Sequence, residues 1–258
     1  MSSRPATRRI TTIIFDVDDT LYDVSSGFTE HRNGEVIWKY MVEHLGFANK
    51  DEAKAVRDSY FRRYHSTAKA LTEAQKDGKF PNGAPAFNTQ HMSQYWADNL
   101  DHSKLGGPKH DVRAFLESCP LRMVAFSNGP RAYVSKALQS LGLWEIFGNE
   151  RLFCVDDVLP YCKPEKEAFQ IVFDKLGMES PEECIMVEDS MKNIREAKAL
   201  GMKTVLITGK KEDGRILPED RPEGNDPAVD CSMATIEEFQ NRLPGLWSDP
   251  PVFEPTKP

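Results

Sequence analysis

The run from Ile10 to Phe15 (ITTIIF) stops abruptly at Asp16-Val17-Asp18-Asp19-Thr20. Such a run fits a strand buried on both faces of a parallel sheet, and it delivers the acidic residues to the strand's carboxyl end. The pattern then repeats. Leu121 to Ser127 (LRMVAFS) reads as a strand, with a helix after it from about Arg131 to Leu141. Another strand near Leu152 to Val155 precedes Lys163-Pro164, where Pro164 suits the first turn of a helix. That helix carries Phe169, Val172, Phe173 and Leu176 on one face and stops at Gly177. Cys184 to Val187 is a further buried strand, followed by Glu188-Asp189-Ser190, a helix closed by Gly201 and a strand from Thr204 to Ile207. Strand, polar turn and helix in alternation predict the α/β class, with a Rossmann-like, doubly wound parallel sheet.

The alternation is interrupted once. From about Gly27 to Lys109 the apolar residues follow a helical period, with Val36, Ile37, Tyr40, Met41, His44 and Leu45 on one face. Inside this stretch Asp77 to Asn88 is rich in Gly, Pro and Asn and reads as a loop. The expected organisation is a core built from residues 10–24 and 110–243, an inserted all-helical cap at 25–109, and a Pro-rich tail at 244–258. A length of 258 residues accommodates one substantial core and a smaller second unit. Gly209 to Asp226 is polar and reads as a mobile loop, and Pro250 to Pro258 as a poorly ordered end.

Charge and cysteine usage narrow the function classes. There are 33 basic against 40 acidic residues, a net charge of −7, and no sustained basic block beyond Arg4, Arg8 and Arg9. This argues against a nucleic acid polymer or an anionic membrane surface as partner. No apolar run approaches the roughly 20 residues that span a bilayer, and the first dozen residues lack a secretory stretch, so a soluble, cytoplasmic protein is expected. Arg4, Arg8 and Arg9 read as a short flexible lead-in, with a transit-peptide remnant as the alternative. Five cysteines without CxxC spacing read as reduced thiols, and Cys162, beside Lys163, has no evident partner that would make it a nucleophile.

Each strand of a parallel sheet brings its carboxyl-end turn to the same edge, so four distant turns meet. The DxDxT spacing sends Asp16 and Asp18 the same way, which lets one carboxylate attack while the other handles a proton. Ser127-Asn128-Gly129 offers a hydroxyl and backbone N–H groups to phosphate oxygens. Lys163 adds a fixed positive charge that offsets repulsion between nucleophile and phosphate. Glu188-Asp189 supplies the hard oxygen ligands that magnesium prefers, and with Asp16 these carboxylates make a metal site.

With the segments FDVDDTLYD, AFSNG, CKPEKEAF and MVEDSMKNIREAKALGM in this order, the chain resembles the haloacid dehalogenase superfamily over roughly residues 10 to 23 and 110 to 208. The resemblance implies Asp16 as nucleophile, Asp18 as acid and base, Ser127 with Asn128 and Lys163 as substrate-binding groups, and Asp16, Asp18 and Asp189 as the magnesium set. Glu188 occupies a position that in some relatives also contacts the metal. The insertion corresponds to a helical cap that closes over the site and selects substrates, and His65 and Phe87 are taken as candidates for that selection. The expected reaction is hydrolysis of a small phosphomonoester through an aspartyl-phosphate. CKP and DSMKNI resemble the pyrimidine 5'-nucleotidase-like branch, although Asp19 and SNG stand where that branch often has Asn and a TNA-like triplet. A second aspartate at Asp18 favours a phosphatase over a hydrolytic dehalogenase. A phosphomutase using the same residues, or a non-catalytic metabolite-binding regulator, are the alternatives.

Overall fold

The computed structural model describes residues 9–209 and 226–256. Six strands, β1 (Thr12–Phe15), β2 (Arg122–Phe126), β3 (Leu152–Phe153), β4 (Cys184–Glu188), β5 (Lys203–Ile207) and β6 (Cys231–Met233), form one sheet in the order β3-β2-β1-β4-β5-β6. Every pairing is parallel, and Phe15 lies opposite Ala125 of β2 on one side and Val187 of β4 on the other. The chain winds outward from β1 in one direction and then from β1 in the other. Strand order therefore reverses between β1 and β4, and in open α/β sheets ligands bind beside the carboxyl ends of the strands at that reversal.

Between residues 37 and 99 the chain builds four helices: α1 (Ile37–Leu45), α2 (Lys50–Tyr64), α3 (Thr67–Lys76) and α4 (Thr89–Asn99). Asn49 caps α2 by accepting the Glu52 N–H, and Asn88 caps α4 by accepting the His91 N–H. The loop expected over Asp77 to Asn88 joins α3 to α4. Of the apolar face read from Val36 to Leu45, all but His44 is buried. The insertion rests on the core where α4 meets α6 (Arg131–Ser140), with the Trp96 and Tyr133 ring centroids 5.5 Å apart.

Period-two alternation in β1 explains why ITTIIF tolerates no polar face. Ile13 and Phe15 pack on the side covered by α5 (His110–Ser118), α6 and the C-terminal segment, where Phe15 meets Phe147 at 6.1 Å and Phe239 at 5.8 Å. Ile14 packs on the other side with Phe126, Phe169 and Phe173, under α7 (Lys166–Leu176). Helix α8 (Met191–Ala199) follows β4 and buries Met191 and Ile194 against Leu206 of β5. Burying each large apolar side chain contributes about 1.5–3 kcal/mol.

The structure differs from the sequence reading at four places. Pro164 stands in the turn before α7, after a cis Lys163–Pro164 bond, and the helix begins at Lys166. Strand β3 is two residues long because the chain turns into a helical turn at Val155–Val158. Strand β6 was missed, since Cys231–Met233 is too short to show a period. The supposed tail is docked: Leu246 is fully buried, the Val252 N–H donates to the Gly245 carbonyl at 2.8 Å, and the Thr256 N–H donates to Arg242 at 2.9 Å. Most of the loop expected over Gly209 to Asp226, and the lead-in through residue 8, lie outside the described residues.

Candidate active site

Asp16 follows β1 directly, and its N–H donates to the Val187 carbonyl of β4 at 2.9 Å, which ties the turn to the crevice. The Lys163 ammonium, fully buried, donates to Asp16 Oδ1, Glu188 Oε2 and the Phe126 carbonyl, each at 2.7 Å. One cation thus uses its three protons to join the carboxyl ends of β1, β2 and β4. Burial alone would lower the Lys163 pKa, but Asp16 and Glu188 outweigh it and push the pKa up. For Asp16, burial and then Glu188 push the carboxyl well above the usual range, with Lys163 offsetting only part of this.

Asp16, Glu188 and Asp189 bring ligand oxygens within 4.8 Å of one another. Among the described residues three carboxylates face one buried lysine, which leaves surplus negative charge, and burial, Glu188 and Asp16 raise the Asp189 pKa well above normal. This all-oxygen, electron-rich donor set fits a hard divalent cation such as magnesium. Of the expected set Asp16, Asp18 and Asp189, the carboxylate of Asp18 is not in the cluster, and Glu188 stands in it instead.

Asp18 is turned toward the insertion. Its carboxylate accepts from Arg32 Nη1 at 2.5 Å, from the Tyr22 hydroxyl at 2.7 Å and from the Tyr133 hydroxyl. Burial would raise its pKa, but Arg32, Tyr133 and Tyr22 outweigh burial and hold it below the usual range. Arg32 is itself 8% exposed and lies 4.7 Å from the Tyr133 ring centroid. It belongs to a π-turn, Arg32–Val36, where the backbone leaves helical geometry at Gly34 (φ −106°, ψ −107°). No motif marks this arginine, so sequence reasoning missed it together with Tyr22 and Tyr133. Replacing Arg32 with Leu strands a buried carboxylate, and the expected loss is about 3–5 kcal/mol of stability by denaturant unfolding. Adding Asp18→Asn to the same chain should recover most of it; an unchanged deficit would show that the pair is not coupled.

In the second turn the Ser127 hydroxyl and the Asn128 amide are both engaged within the protein. Ser127 Oγ accepts the Gly129 N–H at 2.9 Å, and the serine is fully buried. The Asn128 amide grips the backbone of Lys163, accepting its N–H at 2.9 Å and donating to its carbonyl at 2.8 Å. Asn128 therefore positions the lysine. Gly129 is required by packing, since a Cβ there would lie 2.8 Å from Val134 Cγ2.

A cavity of about 830 Å³ runs from these carboxylates into the insertion. Its core side includes Asp16, Asp18, Asp19, Lys163 and Asp189, and its insertion side includes Arg32, Trp38, Arg57 and Trp96. Asp19 adopts a left-handed backbone (φ 55°), and burial, followed by Asp18, raises its pKa to about 7. His65 lines the cavity and Phe87 does not. The α2–α3 corner is bonded to the core turns, with Ser66 Oγ donating to the Asn128 carbonyl at 3.2 Å and Lys69 paired with Glu165. The Cys162 thiol donates to the Tyr64 carbonyl, and burial pushes its pKa up to about 12, which suits a structural thiol. All five cysteines are free and buried.

Carboxylates and one buried lysine, gathered at the carboxyl edge of a doubly wound sheet beside a helical insertion, define an α/β protein with a candidate active site at the β1–β4 crevice. Residues 10–201 match the family described as haloacid dehalogenase-like hydrolase, and the chain belongs to that family. It is 26% identical over 241 residues to the N-acetylmuramic acid 6-phosphate phosphatase of Pseudomonas putida, covering 92% of this chain and 99% of that protein. It is 25% identical over 203 residues to the phosphoglycolate phosphatase of Chromobacterium violaceum, covering 78% and 86% of the two chains. In fold it is similar to L-2-haloacid dehalogenase from Xanthobacter autotrophicus, with TM-score 0.55 and 19% identity over 92% of this chain and 99% of that one. Among the described residues no helix is long and apolar enough to cross a membrane.

Proposed function

We propose that this chain is a magnesium-dependent phosphatase that hydrolyses a small phosphomonoester through an aspartyl-phosphate on Asp16. The observation that carries this reading is the placement of Asp16 in the β1–β4 crevice, with one oxygen held by Lys163 and with Glu188 and Asp189 beside it. Asp16, Glu188 and Asp189 would hold magnesium, which when bound neutralises charge on the transferring phosphoryl group. In the first step an Asp16 oxygen bonds to phosphorus, the ester P–O bond breaks, and the leaving oxygen takes a proton from Asp18. In the second step Asp18 removes a proton from water as its oxygen bonds to phosphorus, releasing inorganic phosphate and restoring the Asp16 carboxylate. Arg32 holds Asp18 ionised, the form that serves the second step. The first step therefore requires Asp18 to leave Arg32 and take up a proton. Ser127 Oγ, freed from the Gly129 N–H, is the proposed phosphate hydroxyl, and the insertion acts as the cap over residues 25–109.

The relatives named as phosphatases of N-acetylmuramic acid 6-phosphate and phosphoglycolate support the reaction class. A pyrimidine nucleoside 5'-monophosphate remains a substrate candidate on CKP and DSMKNI, and an acidic chain of net charge −7 suits a cytoplasmic enzyme acting on diffusible metabolites. Phosphate release from p-nitrophenyl phosphate should depend on magnesium, vanish with chelator, and fail to return with calcium, whose longer bonds and looser coordination misplace the attacking oxygen. Release that ignores chelation, or equal rates with either ion, would sink the reading.

A further inference from the structure

Lys69 occupies a position that its own helix does not favour. It lies in the first turn of α3, where the helix dipole opposes a cation, and it is only 7% exposed. Lysine is almost never buried to this extent unless it is paired. The partner comes from the core: the Lys69 ammonium donates to Glu165 Oε2 and stands 5.4 Å from the Tyr64 ring centroid. Glu165 lies directly before α7. The pair therefore exists because of where the insertion meets the core, and local preference plays no part in it.

Glu165 does more than balance this charge. The same Oε2 accepts the Cys162 N–H at 2.9 Å, and the Glu165 N–H donates to the Cys162 carbonyl at 2.8 Å. These two bonds close the turn that carries Lys163. Two further contacts from the insertion reach the same place. The Cys162 thiol donates to the Tyr64 carbonyl at 3.2 Å, and Ser66 Oγ donates to the carbonyl of Asn128, whose amide grips the Lys163 backbone. Residues 64–69 thus hold the Lys163 turn from one side, while Asp16, Glu188 and the Phe126 carbonyl hold its ammonium from the other. Among these ties from the insertion, Lys69–Glu165 joins opposite charges and is the strongest.

Resting on the phosphatase reading, we propose that Lys69 is a positioning residue for the chemical step: acting through Glu165, it fixes the turn that places the Lys163 ammonium against Asp16 and the phosphoryl group. The insertion then contributes to turnover itself and not to substrate choice alone. Without Lys69, the Glu165 carboxylate loses its cation and, at 38% side-chain exposure, turns to water and releases the Cys162 N–H. A resulting displacement of Lys163 on the order of 1 Å acts on every phosphorylated substrate alike, because the ammonium serves the phosphate and not the leaving group.

The test compares the full-length parent protein with Lys69→Met, Glu165→Gln and the double variant, at a temperature where circular dichroism shows each of them folded. With magnesium, Lys69→Met should lower kcat at least about tenfold for p-nitrophenyl phosphate and for a panel of phosphomonoesters with different leaving groups. KM should stay within about twofold, and the ranking of substrates should not change. Glu165→Gln should show the same signature at smaller size, and it covers the case in which Lys69→Met fails to fold. The double variant should be no slower than Lys69→Met, since both changes break the same pair. In the metal-free protein, amide hydrogen exchange over residues 159–165 should quicken about tenfold in Lys69→Met, while exchange in β1 stays as in the parent. Unchanged kcat in both single variants, a loss confined to particular substrates, or a fall in kcat without faster exchange in the Lys163 turn would overturn the inference. If the parent hydrolyses no ester in the panel, the phosphatase reading falls and the role of Lys69 falls with it. Hydrolysis that survives both substitutions removes the role of Lys69 alone and leaves the phosphatase intact.

Discussion

Substitution of Asp16 by asparagine is expected to leave a folded protein with turnover reduced on the order of 10⁴-fold or more, because an amide cannot form the acyl phosphate. The fold should gain from the change. Burial and then Glu188 hold the Asp16 carboxyl well above its usual pKa, so in the unfolded chain the carboxylate forms more readily than in the native one. At any pH where the native group is ionised, its charge therefore weakens the metal-free fold, and an uncharged isostere removes that penalty. The midpoint of thermal unfolding in chelator should be equal to or above that of the parent protein. A second readout is chemical: acid quenching with a phosphorus-labelled substrate should leave label on the parent that hydroxylamine removes, and none on the variant. Appreciable turnover by Asp16→Asn would rule out a covalent intermediate at this position.

Lys163→Met should behave in the opposite way with respect to stability. The ammonium is the shared partner of Asp16 and Glu188, and its loss leaves two buried carboxylates facing each other. The expected cost is about 3–5 kcal/mol, as for other buried ion pairs that lose one member. Turnover should fall by about 10²–10³ for every phosphorylated substrate, since the missing charge acts at the phosphate itself and not at the leaving group. The measurements are denaturant unfolding and kcat/KM over a substrate panel that includes p-nitrophenyl phosphate. A loss confined to some substrates would place Lys163 in specificity instead. Full stability would mean that protonation of Asp16, whose pKa burial already raises, takes over the role of the ammonium.

Local pattern was sufficient for what depends on a strand and its own turn. ITTIIF followed by DVDDT, or CIMV followed by EDS, states in consecutive residues that a buried strand ends in carboxylates, and parallel pairing then brings such turns to one edge. Asp16 and Asp189 were legible for that reason; the apolar face of α1 and the loop between α3 and α4 were legible from period and composition. Side chains that act across elements were not. Glu188 was read only as an accessory ligand, yet it shares Lys163 with Asp16, a relation set by the β1–β4 pairing. Asn128 looked like a phosphate contact, and only the fold directs its amide to the Lys163 backbone. Arg32 lies 14 residues from Asp18 and 101 from Tyr133, in a turn whose geometry breaks at Gly34, so no period or spacing connects the three. Lys69 and Glu165 stand 96 residues apart in the sequence. Whether Lys69 met solvent or Glu165 was decided by how the insertion packs on the core, because a helix period specifies which residues share a face and carries no information about what lies opposite it.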